Sequence, residues 1–197
     1  MFVYIPPRSV QWKIIGYNNF LMINEIRGRR LKLLKSSSEI SRRVSELGKQ
    51  ITRDYKDKDP VLIGILKGGS IFLADLVRHV DFNTEIDFVR ASSYGEGMVP
   101  GDIELTADVT APLEGRHVLL VEDMLDTGVT LGFLREHILS KKPASCKICI
   151  FLDKKERREA KIEADYVGFD IGEGFVVGYG TDWGEMGRNL PGVYVLE

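Results

Sequence analysis

Glu122 and Asp123 stand side by side at the end of an apolar run, Val118-Leu119-Leu120-Val121, and Asp126-Thr127-Gly128-Val129-Thr130 follows two residues later. Adjacent carboxylates suit sugar hydroxyls or a hydrated Mg²⁺, which usually takes only one or two carboxylates. A hydroxyl- and glycine-rich turn that opens a helix suits a phosphate, because its backbone N–H groups face the anion and the helix dipole favours negative charge. Lys67-Gly68-Gly69-Ser70 repeats that arrangement after the apolar run Val61 to Leu66, and Lys154 follows a third run. Two phosphate-binding turns flanking an acid pair point to a ribose bearing phosphates at both ends. A Walker-type loop is excluded, since no G-x-x-x-x-G-K-[ST] occurs.

These residues need a scaffold that brings strand ends together. Val61 to Leu66 reads as a buried parallel strand, followed by a helix to about His79. Thr84 to Arg90, Val118 to Val121, Ser145 to Leu152, Tyr166 to Phe169 and Phe175 to Tyr179 read as further strands. Helices are expected from Ser37 or Ser38, with the stripe Ile40, Val44, Leu47 and Ile51, and over Thr130 to Ser140, with Leu131, Leu134 and Ile138 on one face. Ser92 to Asp108 reads as a long loop, a candidate lid. Strands alternating with helices predict an α/β fold with a central parallel twisted sheet flanked by helices. Ligands of such a sheet bind beyond the carboxyl ends of its strands, where all three candidate segments fall.

The chain has 197 residues and a formal net charge of -2, which suits one domain and gives no basis for general nucleic-acid binding. No apolar run is long enough to cross a membrane. Two cysteines, Cys146 and Cys149, are too few for a disulfide framework and favour a reducing compartment, the cytoplasm. Their odd spacing on a strand places them on opposite faces as core residues. Residues 1–35 show no regular pattern and carry a basic cluster, Arg27, Arg29, Arg30, Lys32 and Lys35, which reads as a solvated face. Met22 is a candidate internal start that would leave residues 1–21 dispensable.

At Val118 to Leu131 the sequence resembles the phosphoribosyl-pyrophosphate signature of type I phosphoribosyltransferases, and more narrowly the hypoxanthine-guanine phosphoribosyltransferases of bacterial type. Leu66-Lys67-Gly68-Gly69, Ser92-Ser93-Tyr94-Gly95, Leu152-Asp153-Lys154, Asp165 to Phe169, Phe175 to Tyr179 and Asp182 to Arg188 support the resemblance, which spans roughly Glu39 to Val193. It implies the type I fold, with a small hood formed from N- and C-terminal segments. Residues 1–35 would be an extension of uncertain order. Residues 36–197 would be the transferase domain, its hood drawn from near its start and from about 155–197. The implied reaction transfers the phosphoribosyl group of 5-phosphoribosyl 1-pyrophosphate to N9 of hypoxanthine or guanine, in purine salvage.

The same resemblance implies residue roles. Glu122 and Asp123 would bind ribose hydroxyls, with Mg²⁺ close by. Asp126 would be general acid/base at purine N7, or the cap of the following helix, or both. Asp126, Thr127, Gly128, Val129 and Thr130 would cradle the 5′-phosphate. Lys67, Gly68 and Arg188 would meet pyrophosphate, with a cis peptide between Leu66 and Lys67. Ser93 and Tyr94 would belong to the lid. Lys154 would donate to purine O6, Phe175 would stack on the base, Val176 would contact it through its backbone, and Asp182 would bind a second Mg²⁺. A homodimer or homotetramer is expected.

Two other readings share these motifs. One is a regulator that senses the phosphoribosyl donor and binds nucleic acid through the basic cluster; the other is a xanthine-preferring transferase. The lid departs from the family pattern, with no Lys or Arg from Ala91 to Gly115 while Glu96, Asp102, Glu104, Asp108 and Glu114 occur there. An acidic lid is repelled by pyrophosphate unless a cation screens it. Activity is therefore expected to depend more steeply on Mg²⁺ than in a relative with a basic lid; parallel Mg²⁺ titrations of initial rate check this, and equal dependence refutes it.

Overall fold

The computed structural model describes residues 25–93 and 103–197. The expectations for Met22, Tyr94 and most of the lid lie outside them.

The chain runs β1 (Glu25–Ile26), β2 (Arg29–Lys35), α1 (Ser37–Tyr55), β3 (Val61–Ile65), α2 (Gly69–Leu76), β4 (Glu85–Ser93), β5 (Ile103–Ala107), β6 (His117–Leu125), α3 (Val129–Ser140), β7 (Ser145–Asp153), β8 (Tyr166–Asp170), β9 (Val176–Val177) and β10 (Val193–Leu196). Short 3-10 turns follow α2 at Val77–His79 and β7 at Lys155–Arg157. The larger sheet has the order β5-β4-β3-β6-β7-β8. Its pairs are parallel except β4 with β5. The expected long loop thus contains an antiparallel edge strand, so the sheet is mixed. Ile103-Glu104-Leu105-Thr106-Ala107 alternates weakly and is mostly exposed, so it lacks the apolar run that marks a buried strand.

Each face of the sheet is covered by a core. Ile40, Val44, Leu47 and Ile51 of α1 and Phe72, Leu73 and Leu76 of α2 pack on Leu62, Leu119, Val121 and Phe151. Leu131, Leu134 and Ile138 of α3 pack on Val61, Ile63, Val118, Leu120, Ile148 and Ile150. Both expected helix stripes are therefore the buried ones. α1 starts at Ser37, within the expected bounds, and its cap is the preceding serine, Ser36. Ser36 N donates to Glu39 Oε2 at 2.9 Å and Glu39 N to Ser36 Oγ at 3.3 Å, a reciprocal cap that requires Glu three residues after the capping residue. Cys149 sits in the first core and Cys146 against the second, and burial pushes the Cys146 thiol up to about 11.

The smaller sheet, β1-β2-β10-β9, is antiparallel and forms the hood. Residues 25–35 supply two of its strands. Several cations of the basic cluster are engaged within the chain: Arg29 Nε donates to Glu197 O at 2.6 Å, Lys32 lies 3.5 Å from the Glu197 carboxylate, and Lys35 sits 4.9 Å over the Phe169 ring. The expected strand Phe175 to Tyr179 shrinks to Val176–Val177, because Gly174 (φ +121°) and Gly178 (φ +107°) break the extended chain at both ends.

The segment between β5 and β6 is tied back by Asp87. Its carboxylate accepts Phe88 N at 2.7 Å, Thr110 N at 2.7 Å and Ala111 N at 2.8 Å. Burial pushes this carboxyl up, but the Ala111, Phe88 and Thr110 N–H groups reverse the effect and hold it below its ordinary value. A depressed folded-state pKa stabilises the protein above the unfolded-state pKa of about 3.9, and that contribution is lost as pH falls through the folded value. Asp87→Ala is therefore expected to cost about 1–2 kcal/mol at pH 7. The difference from the parent should fade in acid below about pH 3.9, as read by denaturant unfolding at several pH values.

Candidate active site

β6 outruns its neighbour on one side. β3 pairs with it as far as Gly64↔Val121, whereas β7 stays paired to Met124 and Leu125. The acid pair thus lies within the strand rather than after it, beside a notch that β3 has vacated. The chain leaves β3 toward β4 on one side and leaves β6 toward β7 on the other, so this notch is the topological switch point where open parallel sheets bind ligands.

Lys67-Gly68-Gly69 fills the mouth of the notch at very close range. A Cβ on Gly68 would collide with the Asp123 carboxylate, and one on Gly69 would meet Val121 O at 2.8 Å. From the hood, a Cβ on Gly180 would meet Gly68 O at 2.5 Å. The Leu66-Lys67 peptide is cis.

A cavity of about 340 Å³ opens there. Its walls bring together Lys67, Gly68, Glu122, Asp123, Asp126, Thr130, Lys154, Phe175, Val176, Asp182 and Arg188. A second cavity of about 130 Å³ at the start of α3 is lined by Glu122, Asp126, Thr127, Gly128 and Thr130. Gly128 (φ +82°) makes the turn into α3, no side chain caps that helix, and Val129 is its first residue. Its amides are thus positioned for an anion. Asp126 is not the helix cap: its Oδ2 accepts Arg157 Nη1 at 2.9 Å, and its Oδ1 is buried without a partner. Ser93 ends β4.

Glu122 keeps some surface exposure, yet its carboxyl is enclosed. Burial pushes it well above the usual carboxylate range, and the neighbouring Asp123 carboxyl adds to the effect. Raised in this way, the carboxyl holds its proton more tightly than an ordinary glutamate; its Oε1 accepts Asp123 N at 3.0 Å. Among the described residues no cluster of three or more metal-binding side chains occurs.

Lys154 is 6% exposed although it opens the charged run Lys154 to Arg158. Its ammonium donates to Gly174 O at 2.8 Å, and its N–H donates to Leu125 O at 2.9 Å. Phe175 is 52% exposed, a surface aromatic beside the cavity with the Trp183 ring 6.4 Å away. Asp182 is already committed: Oδ1 lies 2.7 Å from Arg188 Nη2 and Oδ2 accepts Glu185 N at 2.7 Å. Arg188 Nε, like Asp126 Oδ1, is buried without a partner.

Three residues of this site escaped the sequence reading. Arg157 grips Asp126, Arg158 donates to Asp126 O at 3.0 Å, and Glu185 reaches Lys67 at 2.9 Å. The two arginines sit in a charged run that carries no periodic signal. Only the spacing Asp182-x-x-Glu185-x-x-Arg188 hinted at a shared turn.

The sequence matches the phosphoribosyl transferase domain over residues 32–183. It is 51% identical to the hypoxanthine-guanine phosphoribosyltransferase of Aquifex aeolicus over 177 residues, 89% of this chain and 99% of that one. It is 45% identical to that of Bacillus subtilis over 84% of this chain and 93% of the relative. Among solved structures, a hypoxanthine phosphoribosyltransferase from Staphylococcus aureus superposes with a TM-score of 0.84 at 40% identity, over 91% of this chain and 96% of that one. A hypoxanthine-guanine phosphoribosyltransferase from Bacillus anthracis superposes with a TM-score of 0.80 at 40% identity, over 86% and 99%. The chain therefore belongs to the phosphoribosyl transferase family, grouped with its hypoxanthine-guanine phosphoribosyltransferases.

Proposed function

We propose that this cavity transfers the phosphoribosyl group of 5-phosphoribosyl 1-pyrophosphate to N9 of a 6-oxopurine, releasing pyrophosphate and forming IMP or GMP. The observation that carries the reading is the unpartnered, buried Asp126 Oδ1, set in one cavity wall with Lys154 and Phe175. A base lying on Phe175 places its O6 toward the Lys154 ammonium and its N7 toward Asp126. Adenine offers an amine rather than an acceptor at position 6, so Lys154 discriminates against it.

In the reaction the bond from the anomeric carbon to pyrophosphate breaks as the bond from N9 forms. Positive charge develops on the ribose and negative charge on the leaving group. Asp126 Oδ1 takes the N7 proton as N9 bonds. Arg157 keeps Oδ2 occupied, so one oxygen is left for the base. Glu122 and Asp123 hold the ribose hydroxyls. The amides and hydroxyls of Thr127 to Thr130 hold the 5′-phosphate, and Lys67, the Gly68 amide and Arg188 hold the pyrophosphate.

Glu122 and Asp123 fit Mg²⁺: two neighbouring oxygen donors, one of them enclosed, suit an ion that keeps waters and shares substrate phosphates. Asp182, tied to Arg188, fits only a second such ion once that pair opens. Bound with the donor, Mg²⁺ neutralises charge on the departing pyrophosphate. We further propose a cytoplasmic enzyme, in keeping with the two free cysteines, that assembles as a homodimer or homotetramer.

Pyrophosphate release measured with donor, Mg²⁺ and each of hypoxanthine, guanine, xanthine and adenine tests the reading. Release with hypoxanthine or guanine and little with adenine supports it. Release with xanthine alone makes the enzyme a xanthine transferase, and no release with any base favours a donor-sensing regulator. Asp126→Asn is expected to lower kcat by about 10²–10⁴-fold while leaving donor affinity near that of the parent. Unchanged turnover rejects Asp126 as the proton acceptor.

A further inference from the structure

The two cations assigned to pyrophosphate are already joined by a carboxylate. Glu185 Oε1 lies 2.9 Å from Lys67 Nζ, and Glu185 Oε2 lies 3.4 Å from Arg188 Nη2. One carboxylate bridging an ammonium and a guanidinium copies how one phosphoryl group of a diphosphate would sit between them. The turn is built to present it. Glu185 adopts φ +70°, a conformation that side-chain-bearing residues seldom take, and its N–H is held by Asp182 Oδ2 at 2.7 Å. Trp183 and Met186 close the turn, with Trp183 N donating to Met186 O at 2.9 Å. The hood grips it from outside: Arg27 Nη2 donates to Gly184 O at 3.0 Å, and the Arg27 guanidinium sits 5.5 Å over the Trp183 ring. The Lys67 hydrogen bond also holds the Glu185 carboxyl below its ordinary value, so it is anionic at neutral pH.

We infer that Glu185 is an internal surrogate for pyrophosphate, a residue that sets donor affinity by occupying Lys67 and Arg188 until the donor's diphosphate displaces it, and that takes them back as pyrophosphate leaves. The inference rests on the assignment of Lys67 and Arg188 in the proposed function. A site held partly by its own anion binds an external one more weakly by the fraction of time it is free. The contacts are exposed to solvent, so the competition is modest.

The test is calorimetric binding of inorganic pyrophosphate at fixed Mg²⁺, with steady-state kinetics, on the parent, Glu185→Gln, Glu185→Ala and Lys67→Ala. Glu185→Gln and Glu185→Ala are each expected to bind pyrophosphate about three- to tenfold tighter. The KM for the phosphoribosyl donor should fall by a similar factor, the KM for the base should hold, and kcat should not rise. A merely structural residue would weaken both ligands together. Pyrophosphate binding that is unchanged or weaker in both Glu185 variants overturns the inference. Lys67→Ala separates the two claims. If it leaves pyrophosphate binding at the parent level, the Lys67 assignment fails. If it weakens binding while the Glu185 variants do not tighten it, the surrogate role alone fails.

Discussion

Everything at this site depends on three backbone segments approaching more closely than side chains allow. The turn after β3 lies against the Asp123 carboxylate at Gly68, and the hood turn lies against Gly68 O at Gly180. A methyl group at either position forces a segment outward, and the displaced group would be an acid or an amide that the site uses. The contact also explains why strand lengths matter. Because β3 stops pairing at Gly64 while β6 runs on to Leu125, a space exists for the turn to enter. Had β3 continued, the acid pair would face another strand instead of a ligand.

Within that frame the polar groups are largely paired to each other. Asp182 holds Arg188, Glu185 joins Arg188 to Lys67, Arg157 holds one oxygen of Asp126, and Lys154 rests on Gly174 O. Glu122 Oε1 accepts Asp123 N at 3.0 Å. Ligand binding at such a site is an exchange of partners, because a buried or clustered charge without one costs several kcal/mol. The groups left unpaired, Asp126 Oδ1 and Arg188 Nε, are where new hydrogen bonds cost least to form.

The hood ties distant parts of the chain to the cavity. Tyr194 and Val195 of β10 pair with β9, next to Phe175, and with β2 on the other side. Residues 25–35 therefore bear on the base-facing wall through two routes: the ladder to β10, and Arg27 on the Trp183-Gly184 turn. Tyr179 Oη donates to Asp75 Oδ2 at 2.7 Å, which fastens the hood to α2 and so to the turn that α2 begins.

The sequence by itself determined what depends on neighbours along the chain. The stripes of α1 and α3 repeat every three or four residues, so they were legible, as were the buried apolar strands β3, β6 and β7 and the glycines that open α2 and α3. The resemblance carried by Glu122 to Thr130 supplied the family. Only the tertiary structure decided what depends on residues far apart. β2 reads as a mixture of Arg, Lys and Leu, and becomes a strand because β10, more than 150 residues later, offers it a ladder. β5 is exposed and exists because β4 pairs with it. Lys154 looks like one more surface cation until β6 and the Gly174 carbonyl enclose it, and Glu185 looks like a loop acid until its turn is laid across Lys67. Local periodicity records which face of an element is buried; it holds no record of which element covers it, or of which charge it meets there.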